Sequence, residues 1–219
     1  MISIIIPTLN ESGPLPVTLE KVRANYSPHE IIIADGGSND STLAIASAAR
    51  AKIVRASFPN RARQMNLGAR EATGDIFLFL HADTQLRETS LAQIENALRD
   101  QRVVGGGFAR RFDCDSFFLR ATCAVATWRS KLFGWFLGDQ GIFVRRKVFE
   151  ELCGFKEMNL FEDVDFSRRL AGAGKTITPK PSIISSARRF EKRGPLFTTC
   201  RDLWLTGKYV SGLESYSAR

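Results

Sequence analysis

The sequence lacks paired cysteines, since its four cysteine residues are scattered and form no Cys-x-x-Cys motif. Without such pairs we expect neither a disulfide framework nor a cysteine-based zinc site, and we predict a reduced, cytoplasmic protein. The sequence also lacks any run near the roughly 18 apolar residues that a membrane-spanning helix requires. The apolar N-terminus carries no charged region and no cleavage motif, so we expect a strand there rather than a signal peptide.

Acidic residues are in deficit, because 23 aspartates and glutamates face 31 lysines and arginines, for a net charge of +8. A basic balance favours anionic partners such as nucleotide diphosphates, anionic lipid surfaces or nucleic acid, although a solvated basic surface explains it equally well. The basic residues are not interleaved with aromatic residues along a strand, so we expect no nucleic-acid partner. The chain has no Gly-x-Gly-x-x-Gly motif and no Walker loop, so dinucleotide and P-loop sites lack their signatures.

Strand and helix patterns alternate through the first hundred residues. We predict strands at Ser3–Thr8, Glu30–Asp35, Lys52–Ala56 and Asp75–Leu80, with a helix after each. This alternation predicts an α/β fold with a mostly parallel central sheet and helices on both faces. The second half predicts a glycine-bulged strand at Val103–Phe112, a strand after Gly141, and helices at Phe117–Phe136, Phe161–Gly174 and Leu196–Val210. We expect one domain, with a nucleotide-binding half at 1–100, a catalytic half at 101–186 and a basic helical tail at 187–219.

Three polar clusters follow predicted strands at the point where each strand ends. They are Thr8–Glu11, Asp35–Ser38 and His81–Asp83. In a parallel sheet these clusters would converge on one edge, where such sheets bind ligands.

Asp83 ends an apolar strand and is the first candidate for chemistry. A carboxylate there can hold Mg²⁺ or Mn²⁺, with water and substrate phosphate oxygens supplying the other ligands. The alternative is a helix cap, because aspartate is a good capping residue and a helix could begin near Leu86.

Two other clusters could contact a nucleotide. Gly36 and Gly37 would let a planar ligand approach the backbone beside Asp35, although an ordinary strand-to-helix turn explains the same residues. The early turns of a predicted helix carry Arg61, Arg63, Gln64 and Asn66. Backbone N–H groups there favour anions and the arginines could bind phosphate; a solvated helix face is the alternative.

Glu162, Asp163 and Asp165 crowd the start of the predicted helix at Phe161–Gly174. Like charges this close raise one another's pKa, which suits a general base, while the helix dipole offers a purely structural reason for the same placement. Because Glu162 and Asp163 are neighbours in sequence, we expect only one of them to face the ligand edge. Further on, Arg188–Arg193 form a dense basic cluster that could hold a diphosphate or face an acidic lipid surface.

In this order the motifs IIIPTLNE, ADGGSNDST, RARQMNLGAREATGDIFLFLHADT, GDQGIFVRR and FEDVDFSRRL resemble glycosyltransferase family 2, whose members are inverting nucleotide-sugar transferases with a GT-A fold. The match runs from about Ile2 to Gly174 and suggests a small stand-alone bacterial subgroup. The resemblance implies that Asp83 binds the metal, and that Asp163 is the catalytic base in an acidic pair with Glu162. It further implies that Gly138, Asp139 and Gln140 shape the sugar and acceptor side, and that the nucleotide is bound by Pro7, Thr8, Glu11, Asp35, Ser38, Arg63, Asn66 and, in place of a usual aspartate, His81.

The chain departs from the family pattern at three points. His81 replaces the first carboxylate of Asp-Ala-Asp, and Gly36 replaces an aspartate of the base-binding turn, so the nucleobase is left open. The late metal-binding histidine of some relatives is missing, since the only histidines are His29 and His81. On position and charge, Arg188 or Arg189 could neutralise the diphosphate instead.

These observations predict a metal-dependent inverting glycosyltransferase that uses Mg²⁺ or Mn²⁺, a nucleotide-sugar donor and an unidentified hydroxyl acceptor. A nucleotidyltransferase acting on a sugar phosphate and a non-catalytic module for anionic ligands are the alternatives. The aromatic segment Phe117–Phe136 leaves two interpretations open. We favour core packing with snorkelling basic side chains over a peripheral membrane contact that would meet a lipid-linked acceptor.

Overall fold

The computed structural model describes residues 1–114 and 116–211 of the chain. Its strands are β1 (Ile2–Thr8), β2 (His29–Asp35), β3 (Lys52–Arg55), β4 (Ile76–Phe79), β5 (Thr84–Gln85), β6 (Val103–Gly107), β7 (Arg110–Phe112), β8 (Ile142–Arg145), β9 (Lys175–Ile177) and β10 (Ile183–Ser185). Its helices are α1 (Leu15–Arg23), α2 (Thr42–Ala48), α3 (Arg61–Glu71), α4 (Ser90–Ala97), α5 (Phe117–Phe133), α6 (Arg146–Glu151), α7 (Glu162–Ala173), α8 (Arg188–Arg193) and α9 (Pro195–Val210), with a 3₁₀ turn at Gly138–Gln140.

A seven-stranded sheet in the order β3-β2-β1-β4-β8-β6-β9 forms the centre of the structure. Strands β1 to β4 are parallel, β8 is antiparallel to both of its neighbours, and β9 is parallel to β6. The predicted mostly parallel α/β sheet is therefore confirmed. Strands β1 and β2 contain runs of three isoleucines, and β4 is apolar throughout, as expected for strands covered on both faces.

Helices cover both faces of this sheet, and the alternation of side chains along β1 assigns them to two core layers. Ile4 packs with α1, α2 and α4 on one face, whereas Ile5 packs with α3 and α7 on the other. All isoleucines of β1 are fully buried. This two-sided packing fixes the ends of the strands, which carry the polar clusters.

The predicted strand Val103–Phe112 is two strands that belong to different sheets. Strand β6 pairs in the central sheet, and its register with β9 shifts between Val103 and Gly105. A Cβ atom on Gly106 would lie 1.9 Å from the carbonyl oxygen of Ile177, so only glycine lets β9 approach this closely. Strand β7 then leaves the central sheet.

A second sheet in the order β5-β10-β7 follows the exit of β4, and the sequence did not predict it. Strands β9 and β10 and helices α6 and α8 are also unpredicted, because each is only three to six residues long. Through the second sheet, the segment after β10 lies next to the segment after β4. There the backbone N–H of Ser186 donates to the carbonyl oxygen of Asp83 at 3.2 Å.

The exposure of aromatic side chains on α5 contradicts the favoured interpretation that they pack in the core. Phe136, just after the helix, is fully buried, but Phe117, Trp128 and Phe133 are 80%, 63% and 48% exposed. Core packing is therefore the wrong explanation for these three side chains. Within the described parts of the chain, no helix combines the length and the apolar character needed to cross a membrane.

Candidate active site

The polar clusters converge on one edge of the central sheet, as the sequence predicts. Thr8 and Asp35 are register partners at the ends of β1 and β2. The last residue of β4, Phe79, pairs with Ile142, the first residue of β8. Because β8 is antiparallel to β4, the turn at Gly138–Gln140 arrives at the same edge.

The turn after β2 is organised by the carboxylate of Asp35, which is 1% exposed. It accepts hydrogen bonds from Thr8 Oγ1 at 3.0 Å, from the backbone N–H groups of Gly37 and Ser38 at 2.9 and 2.8 Å, and from Ser38 Oγ at 2.5 Å. Burial opposes the charge, but these four hydrogen bonds hold the pKa of Asp35 below its usual value. An ionised Asp35 thus shapes the loop; its contact with a base or ribose stays a prediction.

The loops after β1 and β2 are tied to each other. The backbone N–H of Glu11 donates to Thr42 Oγ1 at 2.9 Å, and that of Asn10 donates to Ser38 Oγ at 2.9 Å. Pro7 lies in register with Ala34 on the neighbouring strand. Pro7, Thr8, Glu11, Ser38 and Asp35 therefore lie side by side and form one rim at this edge of the sheet.

Gln64 supports this rim, a role that its place in the sequence did not indicate. Its side-chain amide is buried and donates to the carbonyl oxygens of Thr8 at 2.8 Å and Ala34 at 2.7 Å. The only signal in the sequence was a glutamine on the inward face of α3.

Arg63 and Asn66 lie on α3 as predicted, but each already has protein partners. Arg63 donates to Glu157 at 3.0 Å and stacks over Phe58 at 4.1 Å. Asn66 exchanges two hydrogen bonds with the backbone of Phe155, at 2.8 and 2.9 Å. Both residues join α3 to the segment before α7, and their contact with a nucleotide stays a prediction.

Asp163 lies on the first turn of α7, at the same sheet edge. The backbone N–H of Gly138 donates to Asp163 Oδ2 at 2.6 Å, and the backbone N–H of Val164 donates to Oδ1 at 2.7 Å. Burial raises the pKa of Asp163 despite these two hydrogen bonds. Phe161 precedes the helix with φ at 69°, a left-handed conformation that costs a non-glycine residue free energy and occurs often at functional sites.

Glu162 lines the same pocket as Asp163, together with His81 and Gly138. Which of the two acids faces a bound ligand stays a prediction. Glu162 is 3% exposed and pairs with Arg61, whose Nη1 lies 3.2 Å from Glu162 Oε1. Burial, and then the charge of Asp163, raise the pKa of Glu162, while Arg61 opposes that rise.

The turn at Gly138–Gln140 is held by buried polar contacts. Gln140 is fully buried, and its Oε1 accepts from Arg129 and from the backbone N–H of Leu137, both at 3.0 Å. Asp139 is paired with Arg110, a residue that the sequence did not single out. Gln140 and Asp139 thus fix the turn whose first residue, Gly138, holds Asp163.

Gly138 also brings His81 close to Asp163. A Cβ atom on Gly138 would lie 2.4 Å from His81 Nε2 and 3.4 Å from Asp163 Oδ2. No side chain could be added there without moving the imidazole. The site therefore places His81 and Asp163 on either side of one glycine.

Asp83 does not cap a helix, because α4 begins only at Ser90 and Asp83 precedes strand β5. Instead it lies beside Glu11 and Arg188. Nη2 of Arg188 is 3.1 Å from Glu11 Oε2 and 3.7 Å from Asp83 Oδ2. Burial, and then the charge of Glu11, raise the pKa of Asp83, which Arg188 opposes.

This pair of carboxylates fits a hard divalent cation. The guanidinium of Arg188 stands where a positive charge is needed between Glu11 and Asp83, and both offer the oxygen ligands that Mg²⁺ and Mn²⁺ prefer. In the described part of the chain, no three His, Cys, Asp or Glu side chains form a candidate metal cluster. Oxygens from a bound diphosphate would therefore have to complete the coordination. Arg189 follows Arg188 on α8, but its side chain lies outside the described part of the structure.

The family model described as "Glycosyl transferase family 2" matches residues 3–154. A "PGL/p-HBAD biosynthesis glycosyltransferase" of Mycobacterium tuberculosis (strain ATCC 25177 / H37Ra) is 40% identical over 102 residues, which are 43% of this chain and 40% of that protein. An "Undecaprenyl-phosphate 4-deoxy-4-formamido-L-arabinose transferase" of Yersinia enterocolitica is 26% identical over 187 residues, 77% of this chain and 57% of that one. The chain thus spans about half the length of these curated relatives.

Among solved structures, a mannosyltransferase from Pyrobaculum calidifontis in complex with GDP-Man and Mn²⁺ superposes with a TM-score of 0.68. It is 22% identical, and the match covers 84% of this chain and 56% of that chain. At this identity the likeness establishes the fold, and it confirms the expected GT-A architecture.

Proposed function

Because the chain belongs to glycosyltransferase family 2, we propose that it moves a sugar from a nucleotide-sugar donor to a hydroxyl acceptor, with inversion at the anomeric carbon. One observation carries the proposal. Asp163, a carboxylate whose pKa is raised, lies at the same sheet edge as Glu11 and Asp83, two carboxylates that could bind a divalent cation. Asp163 suits the role of general base, and a cation held by Glu11 and Asp83 would suit the departing diphosphate.

In this reaction the acceptor oxygen attacks the anomeric carbon while the bond from that carbon to the diphosphate oxygen breaks. Asp163 takes the hydroxyl proton, and its raised pKa makes it a stronger base than an ordinary aspartate. The N–H groups of Gly138 and Val164 hold the carboxylate in one orientation, so little reorganisation is needed at the moment of transfer. Glu162, whose charge is partly neutralised by Arg61, lies next to Asp163 on the first turn of α7.

The leaving group would be held beside Glu11 and Asp83. A Mg²⁺ or Mn²⁺ ion bound through Asp83 and Glu11 would stabilise the charge that develops on the nucleoside diphosphate. Arg188 could turn from the two carboxylates to the phosphates, and Arg189 on the same helix could assist it. The relative from P. calidifontis, solved with GDP-Man and Mn²⁺, supports this choice of donor class and metal.

The nucleoside would lie along the rim of the first two loops, in contact with Pro7, Thr8, Asp35, Ser38 and, nearby, Arg63, Asn66 and His81. The turn at Gly138–Gln140 would meet the donor sugar and the acceptor. The name of the Y. enterocolitica relative, an undecaprenyl-phosphate transferase, supports an acceptor carried on a lipid.

The test is a thermal-shift screen of nucleoside diphosphates and nucleotide sugars, with and without Mn²⁺. A ligand at about 100 times its Kd should stabilise the folded protein by about 2.7 kcal/mol. We expect a shift that requires Mn²⁺ and is lost in Asp83→Asn but kept in the control Asp75→Asn, because Asp75 is exposed and precedes β4 at the far edge of the sheet.

Product analysis with the donor found in this screen separates the reaction classes. Release of a nucleoside diphosphate supports glycosyl transfer, and release of pyrophosphate would instead assign nucleotidyl transfer. A Mn²⁺-independent shift that survives Asp83→Asn would contradict the assignment of the metal to Asp83.

A further inference from the structure

An apolar stripe runs along the outer side of α5. Phe117, Val125, Trp128 and Leu132 are 80%, 63%, 63% and 57% exposed, and they recur at the spacing of one helical face. The inner side of the helix carries the buried residues Leu119, Cys123, Ala126 and Ser130. The helix is therefore held by one face, and it presents large apolar side chains on the other.

Helix α9 carries further exposed apolar side chains beside α5. It packs against α5 and exposes Leu196, Phe197 and Trp204 at 64%, 63% and 59%. The ammonium of Lys208 lies 4.1 Å over the ring of Trp204. We call the exposed side chains Phe117, Val125, Trp128, Leu132, Phe133, Leu196, Phe197 and Trp204 the aromatic face.

The charge around the aromatic face is strongly positive. Helix α5 has three basic and no acidic residues, and α5, α8 and α9 together carry nine basic residues against two acidic ones. Arg120 and Lys131 are exposed on α5 beside the stripe. Tryptophan and phenylalanine flanked by lysine and arginine favour the boundary between lipid headgroups and acyl chains, and the positive charge favours anionic headgroups. A large exposed apolar patch of this kind marks an interaction surface.

We propose that the aromatic face docks the protein on a membrane surface that contains anionic phospholipids. The apolar side chains enter the headgroup region, while Arg120, Lys131 and Lys208 contact lipid phosphates. No part of this docking needs a helix that crosses the bilayer.

The aromatic face is joined to the candidate active site at two points. Arg129 of α5 donates to Gln140, in the turn that holds Asp163 through Gly138. Tyr209 of α9 stacks on Phe161, directly before the acidic pair, with ring centroids 5.1 Å apart. Docking would thus place the acceptor side of the pocket near the membrane. This last consequence rests on the proposed function, whereas docking itself does not.

Intrinsic fluorescence measures the docking directly, because all three tryptophans of the chain, Trp128, Trp135 and Trp204, lie on α5, on α9 or just after α5. We expect a blue shift and quenching by brominated acyl chains with vesicles of phosphatidylcholine and phosphatidylglycerol. Flotation with the same vesicles should recover the protein, and pure phosphatidylcholine vesicles should not. Raising the salt concentration should weaken the binding.

Variants of the aromatic face give the decisive comparison. Flotation of Phe117→Ser and Phe197→Ser, which keep all three tryptophans, should fall about tenfold each in partition coefficient. The matched control Tyr26→Ser removes a 95% exposed aromatic residue before β2, and it should leave binding unchanged. Lys131→Glu tests the charge without touching an aromatic side chain, and we expect it to weaken binding to anionic vesicles.

The proposal would be overturned if Phe117→Ser and Phe197→Ser bound anionic vesicles as strongly as Tyr26→Ser does. Equal binding of the wild-type protein to neutral and anionic vesicles would overturn it as well. A dimer in sedimentation velocity that Phe117→Ser dissociates would instead assign the face to a second copy of the chain. Docking is measured without substrate, so it should persist in Asp83→Asn even if no transferase activity is found. Failure of one proposal is thereby distinguished from failure of the other.

Discussion

Replacing Asp163 by asparagine separates catalysis from stability in this protein. Loss of a positioned general base slows an enzyme by about 10²–10⁴-fold, or about 3–5 kcal/mol in activation free energy. Asparagine keeps one oxygen for the N–H of Gly138 or Val164, so one of the two hydrogen bonds is lost. We expect kcat to fall by that factor while nucleotide binding in the presence of Mn²⁺ is retained.

The effect of the same substitution on the free energy of unfolding should depend on pH. Burial raises the pKa of Asp163 in the folded state. As pH rises from the ordinary aspartate value of about 3.9 towards this raised pKa, the unfolded chain loses its proton first, so wild-type stability falls. The asparagine side chain of the variant carries no such proton, and the lost hydrogen bond costs about 1 kcal/mol at every pH. The variant should therefore gain stability relative to wild type as pH rises through this window.

The assay is release of nucleoside diphosphate under saturating donor, together with urea unfolding at pH 4 and pH 8. The control is Asp75→Asn, because Asp75 is 88% exposed and lies away from the candidate site. Undiminished kcat in Asp163→Asn would remove this residue from its role as base. A variant that loses more stability at pH 8 than at pH 4 would refute the pKa argument even if kcat fell.

Two arginines give further predictions. Arg61→Met leaves the buried carboxylate of Glu162 without its ion-pair partner, and since Arg61 is itself half-exposed we expect a loss of about 1–3 kcal/mol in urea unfolding. Adding Glu162→Gln to this variant should recover most of the loss. Arg188→Gln should weaken nucleoside diphosphate binding about tenfold or more in calorimetry, because a charged phosphate contact is removed. The same variant should bind Mn²⁺ alone more tightly, since Asp83 and Glu11 no longer share a guanidinium.

Arg87→Gln is the matched control for both arginines, because Arg87 is exposed and lies between β5 and α4. It should change neither stability nor binding by more than about 0.5 kcal/mol. Equal loss of diphosphate affinity in Arg87→Gln and Arg188→Gln would show that net charge, rather than the position of Arg188, governs binding.

The sequence predicts the structure of residues 1–100 well because the signals there are local. Runs of isoleucine indicate buried parallel strands, and each polar cluster is adjacent in sequence to the strand that positions it. The second half depends on contacts between distant residues. The hydrogen bond between Gly138 and Asp163 joins residues 25 positions apart in sequence, and the one between Arg188 and Glu11 joins residues 177 positions apart. No periodicity reports such contacts, and three-residue strands such as β9 and β10 carry too few residues for a pattern.

The same limit explains why the partners of two arginines could not be predicted. Arg61, expected only as a possible phosphate ligand, pairs with Glu162, and Arg110 appears as an ordinary basic residue until the fold pairs it with Asp139. The exposure of Trp128 could not be foreseen either. An apolar helical stripe has the same spacing whether it faces a core or a lipid surface.

The charge pattern at the sheet edge argues that Asp163, rather than Glu162, is the base. Glu162 accepts directly from the guanidinium of Arg61, a charge-assisted contact that stabilises the ionised form and weakens its affinity for a proton. The hydrogen bonds to Asp163 come from the neutral N–H groups of Gly138 and Val164. These donors orient the carboxylate. Burial raises the pKa of Asp163 as it does that of Glu162, and the charge of Arg61 opposes both rises, so the distinction between the two acids rests on their hydrogen-bond donors. An acid that is positioned by neutral donors can take a proton and still remain aimed at the acceptor, which is what direct displacement requires.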